Sequence, residues 1–325
     1  MPYAIRVHEH GGPEALRWEE VPLPEPQAGE VLVEHTAVGL NFIDVYFRTG
    51  LYQPAERPFI PGVEAAGRVT AVGPGVTGLK EGDRVAYATQ PPGSYTQARA
   101  MPANRLVKLP DEIDDETAAA IMLKGMTAQC LLRRVYPVKA GDTILVHAAA
   151  GGVGSLMCQW AKHLGATVIG TVGSADKAAR VKALGCDYPI LYNEQDFVER
   201  VKEITSGRGV DVVYDSVGRA TFMKSLDCLR PMGMMVSFGQ SSGALEPLEV
   251  GQLAAKGSLF LTRPTLFTYT ARREDLVTTA RELFEVVRER VIKVNIGQRW
   301  PLAEAGAAHQ ALEARATTGS TLLMP

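Results

Sequence analysis

Hydrophobic and polar positions follow one pattern before residue 110 and another after it. From residue 3 to about 110, short β-like runs alternate with glycine and proline, which is typical of strands joined by turns. This part of the chain predicts a compact, mostly antiparallel, barrel-like domain. The predicted strands are residues 3–7, 30–35, 64–72, 83–87 and 94–98.

Strands and helices alternate between about 140 and 262. Helical segments such as 176–184 and 194–205 separate six apolar runs, a pattern typical of a parallel sheet with both faces covered. Six strands match the doubly wound dinucleotide fold in number. The runs are residues 143–147, 167–171, 188–191, 210–215, 234–238 and 258–261.

The segment after Pro264 is too short to fold alone. It predicts an amphipathic helix at 272–290, a short strand at 291–298 and a last helix at 302–315, and we expect it to return to the first domain. The fold class is therefore α/β, with a β-rich domain of 1–123 and 264–325 and a Rossmann domain of 124–263.

A glycine-rich loop follows the first strand of the second region. Ala149-x-Gly151-x-x-Gly154 is a variant of G-x-G-x-x-G that follows a strand and opens a helix, as the dinucleotide motif requires. Gly151, Gly152 and Val153 would bring backbone close to a pyrophosphate, and Gly154 would let the helix pack on the sheet. The alternative is a tight turn without a ligand.

The end of the next strand distinguishes NAD from NADP. NAD enzymes place an acidic residue there for the ribose 2′-hydroxyl, whereas this chain has Gly173 and Ser174. Asp176 lies nearby, where the helix dipole favours an acidic residue. Lys177 could meet a 2′-phosphate, although a solvated helix face is the competing interpretation. The sequence favours NADPH.

Composition restricts the function classes. The 325 residues carry a net charge of -2 and are 46% hydrophobic, so nothing recruits nucleic acid or anionic membranes. The four cysteines are far apart without a CxxC pair, which indicates buried thiols. No signal-peptide core or transmembrane run is present, and we expect a cytoplasmic protein.

The order of barrel, Gly-rich βαβ domain and short return, with Gly-Asp-Arg-Val at 82–85, resembles the medium-chain dehydrogenase/reductase superfamily over essentially the whole chain. Segments 39–46, 214–218 and 237–243 resemble its zinc-free NADPH:quinone oxidoreductase branch, which includes zeta-crystallin. The bacterial quinone oxidoreductases are most similar. The resemblance implies a GroES-like first domain and an NADPH-dependent enzyme.

The positions that hold zinc in related alcohol dehydrogenases carry other residues here. Those enzymes have a cysteine in the segment matching 39–44 and a histidine in the segment matching 62–64, where this chain has Asn41, or a neighbour of it, and Val63. Neither side chain replaces thiolate or imidazole as a zinc ligand. Glu64 remains, but a carboxylate without partners is not a site. We therefore predict no metal.

Hydride transfer without a Lewis acid requires an electrophilic acceptor. Quinones meet this requirement because two electrons make their ring aromatic, and conjugated enones or enals meet it less strongly. The leading prediction is NADPH-dependent quinone reduction by hydride or stepwise electron transfer. Reduction of an enone or enal double bond is the first alternative. A structural or RNA-binding role of zeta-crystallin type is the second, although no basic tract with interleaved aromatics is present.

The resemblance assigns the site residues. Asn41, Tyr46 and Tyr52 would line the nicotinamide and acceptor pocket as catalytic candidates, with packing as the alternative for the two tyrosines in an aromatic-rich loop at 45–52. Asp44 is placed with the cofactor, although a turn or helix cap is the competing interpretation. The other cofactor candidates are Lys124, Thr127, Gly151, Gly152, Val153, Gly154, Gly173, Ser174, Lys177, Tyr192, Ser216, Phe238 and Ser241.

The last predicted strand, 258–261, is an apolar edge that invites pairing. The resemblance implies a homodimer in which two such edges form one continuous sheet. His147 ends the first Rossmann strand, and a packed role is favoured over that of a base.

Overall fold

The structure, a computed structural model, describes residues 1–325, and the chain divides into two compact units. Unit 1 comprises Met1–Met126, Thr270–Arg288 and Val294–Pro325, and unit 2 comprises Thr127–Tyr269 and Glu289–Lys293. The strands are β1 (Tyr3–Arg6), β2 (Arg17–Glu20), β3 (Glu30–Leu40), β4 (Glu64–Val72), β5 (Arg84–Ala88), β6 (Ala98–Pro102), β7 (Val107–Lys108), β8 (Thr143–Val146), β9 (Thr167–Val172), β10 (Tyr188–Leu191), β11 (Val210–Asp215), β12 (Leu229–Ser237), β13 (Phe260–Thr262), β14 (Ile296–Pro301) and β15 (Ser320–Met324). The helices are α1 (Phe42–Thr49), α2 (Asp115–Cys130), α3 (Gly152–His163), α4 (Ala175–Ala183), α5 (Phe197–Ile204), α6 (Phe222–Leu226), α7 (Gly251–Ala255), α8 (Leu266–Tyr269), α9 (Arg273–Arg288) and α10 (Ala305–Glu313).

Unit 1 is built on a seven-stranded sheet. Its order is β14-β15-β3-β4-β5-β7, and β6 pairs with β3 beside this path. The pairs are antiparallel except β14 with β15. The core of this unit is mainly valine, leucine and alanine, but it includes Tyr87 and Tyr95. These two buried hydroxyls require polar partners, so polar side chains enter this interior.

Most of the C-terminal segment belongs to unit 1, whereas residues up to Tyr269 and Glu289–Lys293 belong to unit 2. β15 pairs antiparallel with β3, with Thr321 opposite Leu40. α9 is amphipathic and buries Leu276, Leu283 and Phe284. The tail therefore supplies two of the seven strands of the sheet.

Unit 2 is a doubly wound sheet. Its six strands run parallel in the order β10-β9-β8-β11-β12-β13, with the strand order reversing between β8 and β11. Ligands of such sheets bind beyond the carboxyl ends of the strands at this reversal. The predicted α/β fold class, a β-rich domain plus a doubly wound domain, is confirmed.

Several local predictions were wrong. The predicted strand at 94–98 lies at 98–102 as β6, because Tyr95 points into the core and Thr96 makes only an isolated bridge. The aromatic-rich segment predicted as a loop is mostly the helix α1, which starts after Asn41 and ends at the left-handed Gly50. β3 continues five residues beyond its predicted end because His35 is buried with a hydrogen-bond partner.

β12 starts five residues earlier than the sequence predicts. Pro231 and Gly233 are residue types that usually interrupt a strand. Leu229 nevertheless pairs with Val210, and the strand continues through a register shift. Met232 adopts a positive φ of 57° at this irregularity. The strand therefore continues through a β-bulge at residues whose types usually end a strand.

Candidate functional site

The glycine loop lies at the carboxyl end of β8, next to the reversal of strand order. β8 ends at Val146, Gly151 is the N-cap of α3, and no side chain caps the helix. The first N–H groups of a helix have no acceptor within it. The first-turn N–H groups of Gly152, Val153 and Gly154 therefore suit a bound anion such as a pyrophosphate.

Two glycines of this loop have different surroundings. A Cβ at Gly154 would lie 2.5 Å from the carbonyl oxygen of Ala148 and 2.8 Å from Cα of Ala149, so only glycine permits this close packing. A Cβ at Gly151 would meet only the Ala148 oxygen, at 3.2 Å, and Gly151 is exposed. Gly154 therefore allows the loop to pack closely on the sheet. Gly151 leaves the exposed side of the loop free of a side chain.

The ends of β9 and β10 bring four predicted cofactor residues together. Ser174 is the N-cap of α4, and its hydroxyl accepts a hydrogen bond of 3.4 Å from the backbone N–H of Lys177. Tyr192 follows β10 and is 39% exposed, and a Cβ on Gly173 would lie 2.8 Å from its hydroxyl. Asp176 is in the first turn of α4, where the helix dipole favours a carboxylate.

Three further predicted residues follow the neighbouring strands β11 and β12. The backbone N–H of Ser241 donates to the carbonyl of Ser216 at 3.2 Å, and that of Phe238 donates to the carbonyl of Asp215 at 2.8 Å. Ser216 and Phe238 are half-buried, and Ser241 is exposed. These backbone bonds hold the three residues at the same sheet edge as the glycine loop.

The N-terminus of α1 in unit 1 holds two predicted site residues. Asn41 is the N-cap, and its backbone N–H donates to Oδ2 of Asp44 at 2.8 Å. The same oxygen accepts from the hydroxyl of Tyr95 at 3.0 Å. Asp44 is fully buried, which raises its pKa to about 7. Asp44 thus caps the helix and faces the protein interior.

Tyr46 and Tyr52 contact each other beside α1. Their ring centroids are 5.3 Å apart in an edge-to-face arrangement, and Phe42 lies 6.1 Å from Tyr46. Tyr46 is 9% exposed, while Tyr52 is half-buried. The pair forms one side of an aromatic cluster, with Tyr52 the more accessible ring.

Glu64 has the partners that sequence reasoning did not find. Its Oε2 accepts from Nζ of Lys124 at 2.7 Å and from Nδ2 of Asn41 at 2.8 Å, and its Oε1 accepts from the N–H of Leu123 at 2.6 Å. Glu64, Lys124 and Asn41 are all buried. Gly39 makes this possible, because a Cβ there would lie 2.2 Å from the Glu64 carboxylate. The position of Lys124 within the apolar run of α2 is the sequence feature that indicates a buried positive charge, which requires a counter-ion such as Glu64.

A second buried network reaches Asp44 from the C-terminal segment. The guanidinium of Arg48, 1% exposed, donates to Glu313 through two bonds of 2.9 Å and lies 3.3 Å from Nδ1 of His309. Arginine is only a donor, so Nδ1 accepts and Nε2 carries the proton. Nε2 then donates to the Tyr95 oxygen, 3.0 Å away, and Tyr95 donates to Asp44. Burial lowers the pKa of His309 to about 3.

The remaining candidates occupy structural positions. His147 is buried, with its ring nitrogens 2.9 Å from the hydroxyls of Thr171 and Ser225. The four cysteines are free and buried, and burial raises the pKa of Cys130 to about 12. Thr127 is half-buried in α2.

No three His, Cys, Asp or Glu side chains are grouped to hold a metal ion. None of the helices has the length and apolar character needed to cross a membrane.

A β-rich unit completed by its own C-terminal segment, together with a doubly wound unit that carries a glycine loop, defines a dinucleotide-dependent dehydrogenase or reductase. Family models agree with this class. Residues 27–111 match the alcohol dehydrogenase GroES-like domain, and residues 152–284 match the zinc-binding dehydrogenase model.

Full-length relatives identify the family. The chain is 50% identical to quinone oxidoreductase 1 of Escherichia coli, with all of both chains covered. The crystal structure of the Escherichia coli quinone oxidoreductase complexed with NADPH superposes with a TM-score of 0.98, covering 99% of this chain and 100% of the other. A 2-haloacrylate reductase of Burkholderia sp. is 47% identical, covering 100% of this chain and 99% of its own. The chain belongs to the quinone oxidoreductase family of the medium-chain dehydrogenase/reductase superfamily.

Proposed function

We propose that the protein is an NADPH:quinone oxidoreductase. The observation that carries the proposal is the full-length match, at 50% identity and a TM-score of 0.98, to a quinone oxidoreductase whose structure contains NADPH. Oxidation of NADPH should be measured at 340 nm with a panel of quinones and enones. Turnover of at least one quinone is expected, and failure of every quinone would refute the assignment.

The unit 2 residues bind the cofactor. The bound cofactor supplies the hydride, and the glycine loop offers its N–H groups to the pyrophosphate. We assign the 2′-phosphate to the edge formed by Ser174, Lys177 and Tyr192. Ser216, Phe238, Ser241 and Thr127 are assigned to the remainder of the cofactor.

Lys177 gives a direct test of cofactor preference. A charged hydrogen bond contributes about 1.5 to 3 kcal/mol, which is roughly tenfold or more in affinity. Lys177→Ala should lower the ratio of kcat/KM for NADPH over NADH by about tenfold. Lys182→Ala, in the last turn of the same helix, is the matched control. An unchanged ratio in Lys177→Ala would remove this residue from phosphate recognition.

Tyr46 and Tyr52 are proposed to shape the acceptor site, with Asn41 beside them. One aligned hydrogen bond to a developing oxyanion contributes a few kcal/mol at most. Tyr46→Phe should therefore lower kcat/KM for a small quinone by about ten- to hundredfold, with NADPH affinity unchanged. If Tyr46→Phe and Tyr46→Ala lower only the melting temperature, both rings are packing groups.

Reduction of an electron-poor carbon–carbon double bond is the second candidate. The 47% identity to 2-haloacrylate reductase favours it, because an acrylate carries a double bond conjugated to a carboxylate. Product analysis separates the two activities. A quinone gives hydroquinone or semiquinone, whereas an enone or acrylate gives the saturated compound. A kcat/KM larger for an acrylate than for every quinone would make this the principal activity.

We propose that two copies associate through β13. This strand is an edge of the unit 2 sheet, and Phe260 and Leu261 are 57% and 38% exposed. Unpaired apolar edges promote strand pairing. Light scattering at micromolar concentration should give a dimer mass, and Leu261→Lys should give a monomer. Tyr188→Lys on the opposite edge strand, β10, is the control. A parent protein of monomer mass would refute the proposal.

We propose a cytoplasmic location. Its support is that all four cysteines are free and buried, as is usual for proteins of reducing compartments. Fractionation of cells expressing the tagged chain should recover it with cytoplasmic markers, and recovery outside that fraction would contradict the proposal.

A further inference from the structure

Lys124 is a buried ammonium group with unused hydrogen-bonding capacity. Its Nζ carries three N–H donors, and its one hydrogen bond within the chain goes to Oε2 of Glu64 at 2.7 Å. Lys124 as a whole is 5% exposed, so bulk water cannot surround the charge. Two of its three donors therefore have no acceptor within the chain.

Glu64 fixes the ammonium in place. Its two carboxylate oxygens accept three hydrogen bonds, from Leu123, Asn41 and Lys124. This satisfies most of the carboxylate, so Glu64 orients Lys124 without enclosing it. Gly39 leaves room for the carboxylate, because a Cβ at this position would lie 2.2 Å from Oε2 of Glu64.

Exposure shows which end of the cluster a ligand can reach. Glu64 and Asp44 are 0% exposed, whereas Asn41 retains 8% and Lys124 retains 5%. Asn41 and Lys124 are thus the members of the cluster that retain exposed surface, whereas the two carboxyl residues retain none. The group presented is cationic and a hydrogen-bond donor, which suits an oxygen that gains negative charge.

Stability alone does not explain this arrangement. Desolvation of two charges offsets most of their attraction, so an apolar pair of similar volume is often equally stable. A preorganised donor in a dry position, by contrast, is most effective where negative charge develops in a reaction. The buried Lys124 ammonium, held by Glu64, is a donor of this kind.

We propose that Lys124 is a catalytic residue that donates a hydrogen bond to the acceptor oxygen that becomes negative on hydride transfer, with Glu64 and Asn41 as its positioning residues. This rests on the proposed function. The C4–H bond of the reduced nicotinamide breaks, and hydride forms an O–H bond at one quinone oxygen. The electron pair appears on the second oxygen, where Lys124 donates. Water then supplies the proton that completes the hydroquinone, and Lys124 keeps its own protons.

The test removes both charges together, because a lone buried charge would destabilise the fold. Lys124→Met/Glu64→Gln should lower kcat for a quinone by roughly ten- to hundredfold, the range of one charged hydrogen bond. The Kd for NADPH, measured by fluorescence, should stay within about twofold. The loss should be larger for a methylated naphthoquinone than for 1,4-benzoquinone, because the less electrophilic acceptor depends more on the donor.

Control variants separate the possible outcomes. Lys162→Met, in unit 2 on a surface ion pair with Asp187, should leave kcat unchanged. If the double variant does not fold, Lys124→Gln/Glu64→Gln carries the same test, with two amides that can hydrogen-bond to each other. An unchanged kcat in a folded double variant would overturn the proposal. A raised Kd for NADPH with unchanged kcat would make Lys124 a cofactor contact instead. Absence of quinone turnover in the parent protein would refute the proposed function itself.

Discussion

One ion pair from each unit shows two different degrees of burial. Unit 1 buries an ion pair, Lys124 with Glu64, whose side chains are 7% and 0% exposed. In unit 2 the ion pair of Lys162 with Asp187 has side chains 51% and 26% exposed. The unit 2 sheet has a core of aliphatic and aromatic side chains, and its predicted ligand-binding residues follow the strand ends. A sheet of this kind positions a site by topology, whereas unit 1 positions one through contacts between distant side chains.

The largest expected difference concerns the ion pairs themselves. Lys124→Met leaves the Glu64 carboxylate buried without its cation, which should lower the free energy of unfolding by about 3 to 5 kcal/mol. Lys162→Met removes a surface pair and should cost about 1 kcal/mol or less. Thermal and urea unfolding measure both. Equal losses in the two variants would show that the interior of unit 1 is no more sensitive to charge than the surface of unit 2.

The glycine loop offers a sharper test within unit 2. Gly154→Ala places a methyl group 2.5 Å from a backbone oxygen and should lower the free energy of unfolding by about 1 to 3 kcal/mol. Gly151→Ala meets no atom closer than 3.2 Å. It should weaken NADPH binding and change the stability less. Melting curves and NADPH titrations give the two readouts. A Gly154→Ala protein as stable as the parent would contradict the packing role.

The smallest effect at neutral pH is expected from His309, whose contribution is a pH dependence of stability in acid. Folded His309 stays neutral to about pH 3 because burial and the Arg48 charge lower its pKa, while the unfolded chain takes up a proton near pH 6.5. The unfolded state therefore binds more protons between these values, and stability falls as the pH is lowered through this window. The slope is at most about 1.4 kcal/mol per pH unit for one group.

His309→Gln tests this term. Glutamine can accept from Arg48 and donate to Tyr95, so the network is preserved while the titrating group is removed. The slope of the free energy of unfolding against pH, measured between about pH 6 and 4, should become shallower. The change is at most about 1.4 kcal/mol per pH unit, which corresponds to one proton. His163→Gln, at an exposed position of α3, is the control. An equal change in both variants would exclude a special role for the buried ring.

The sequence predicted unit 2 better than unit 1 for a physical reason. A parallel sheet separates apolar strands from polar connections, so β8, β9, β10 and β11 lie within one residue of their predicted limits. The strand ends then indicated where Gly151 and Ser174 would lie. In unit 1, buried polar residues such as His35 interrupt the apolar pattern, and the end of β3 was misplaced.

The candidate site shows the same limit. The sequence marks Asn41 and Asp44 as residues of interest, and Asn41 and Gly50 carry helix start and stop signals in a segment predicted as a loop. The contacts of Glu64 with Lys124, or of Tyr95 with His309, join residues with no common motif. No spacing rule predicts them, because they arise only when separate elements pack.

The pairing of β15 with β3 makes completion of the unit 1 sheet depend on a segment encoded after unit 2. Thr321 is encoded 281 residues after its partner Leu40, so this pair forms only after the intervening chain has been made. Unit 2 is encoded between them and can fold first, which shortens the flexible loop that the final pairing must close. Until then residues 38–40 of β3 lack their β15 partner on that side, and an unpaired edge is prone to association. Nascent-chain protection therefore matters more for the first strands of this protein than for its nucleotide-binding sheet.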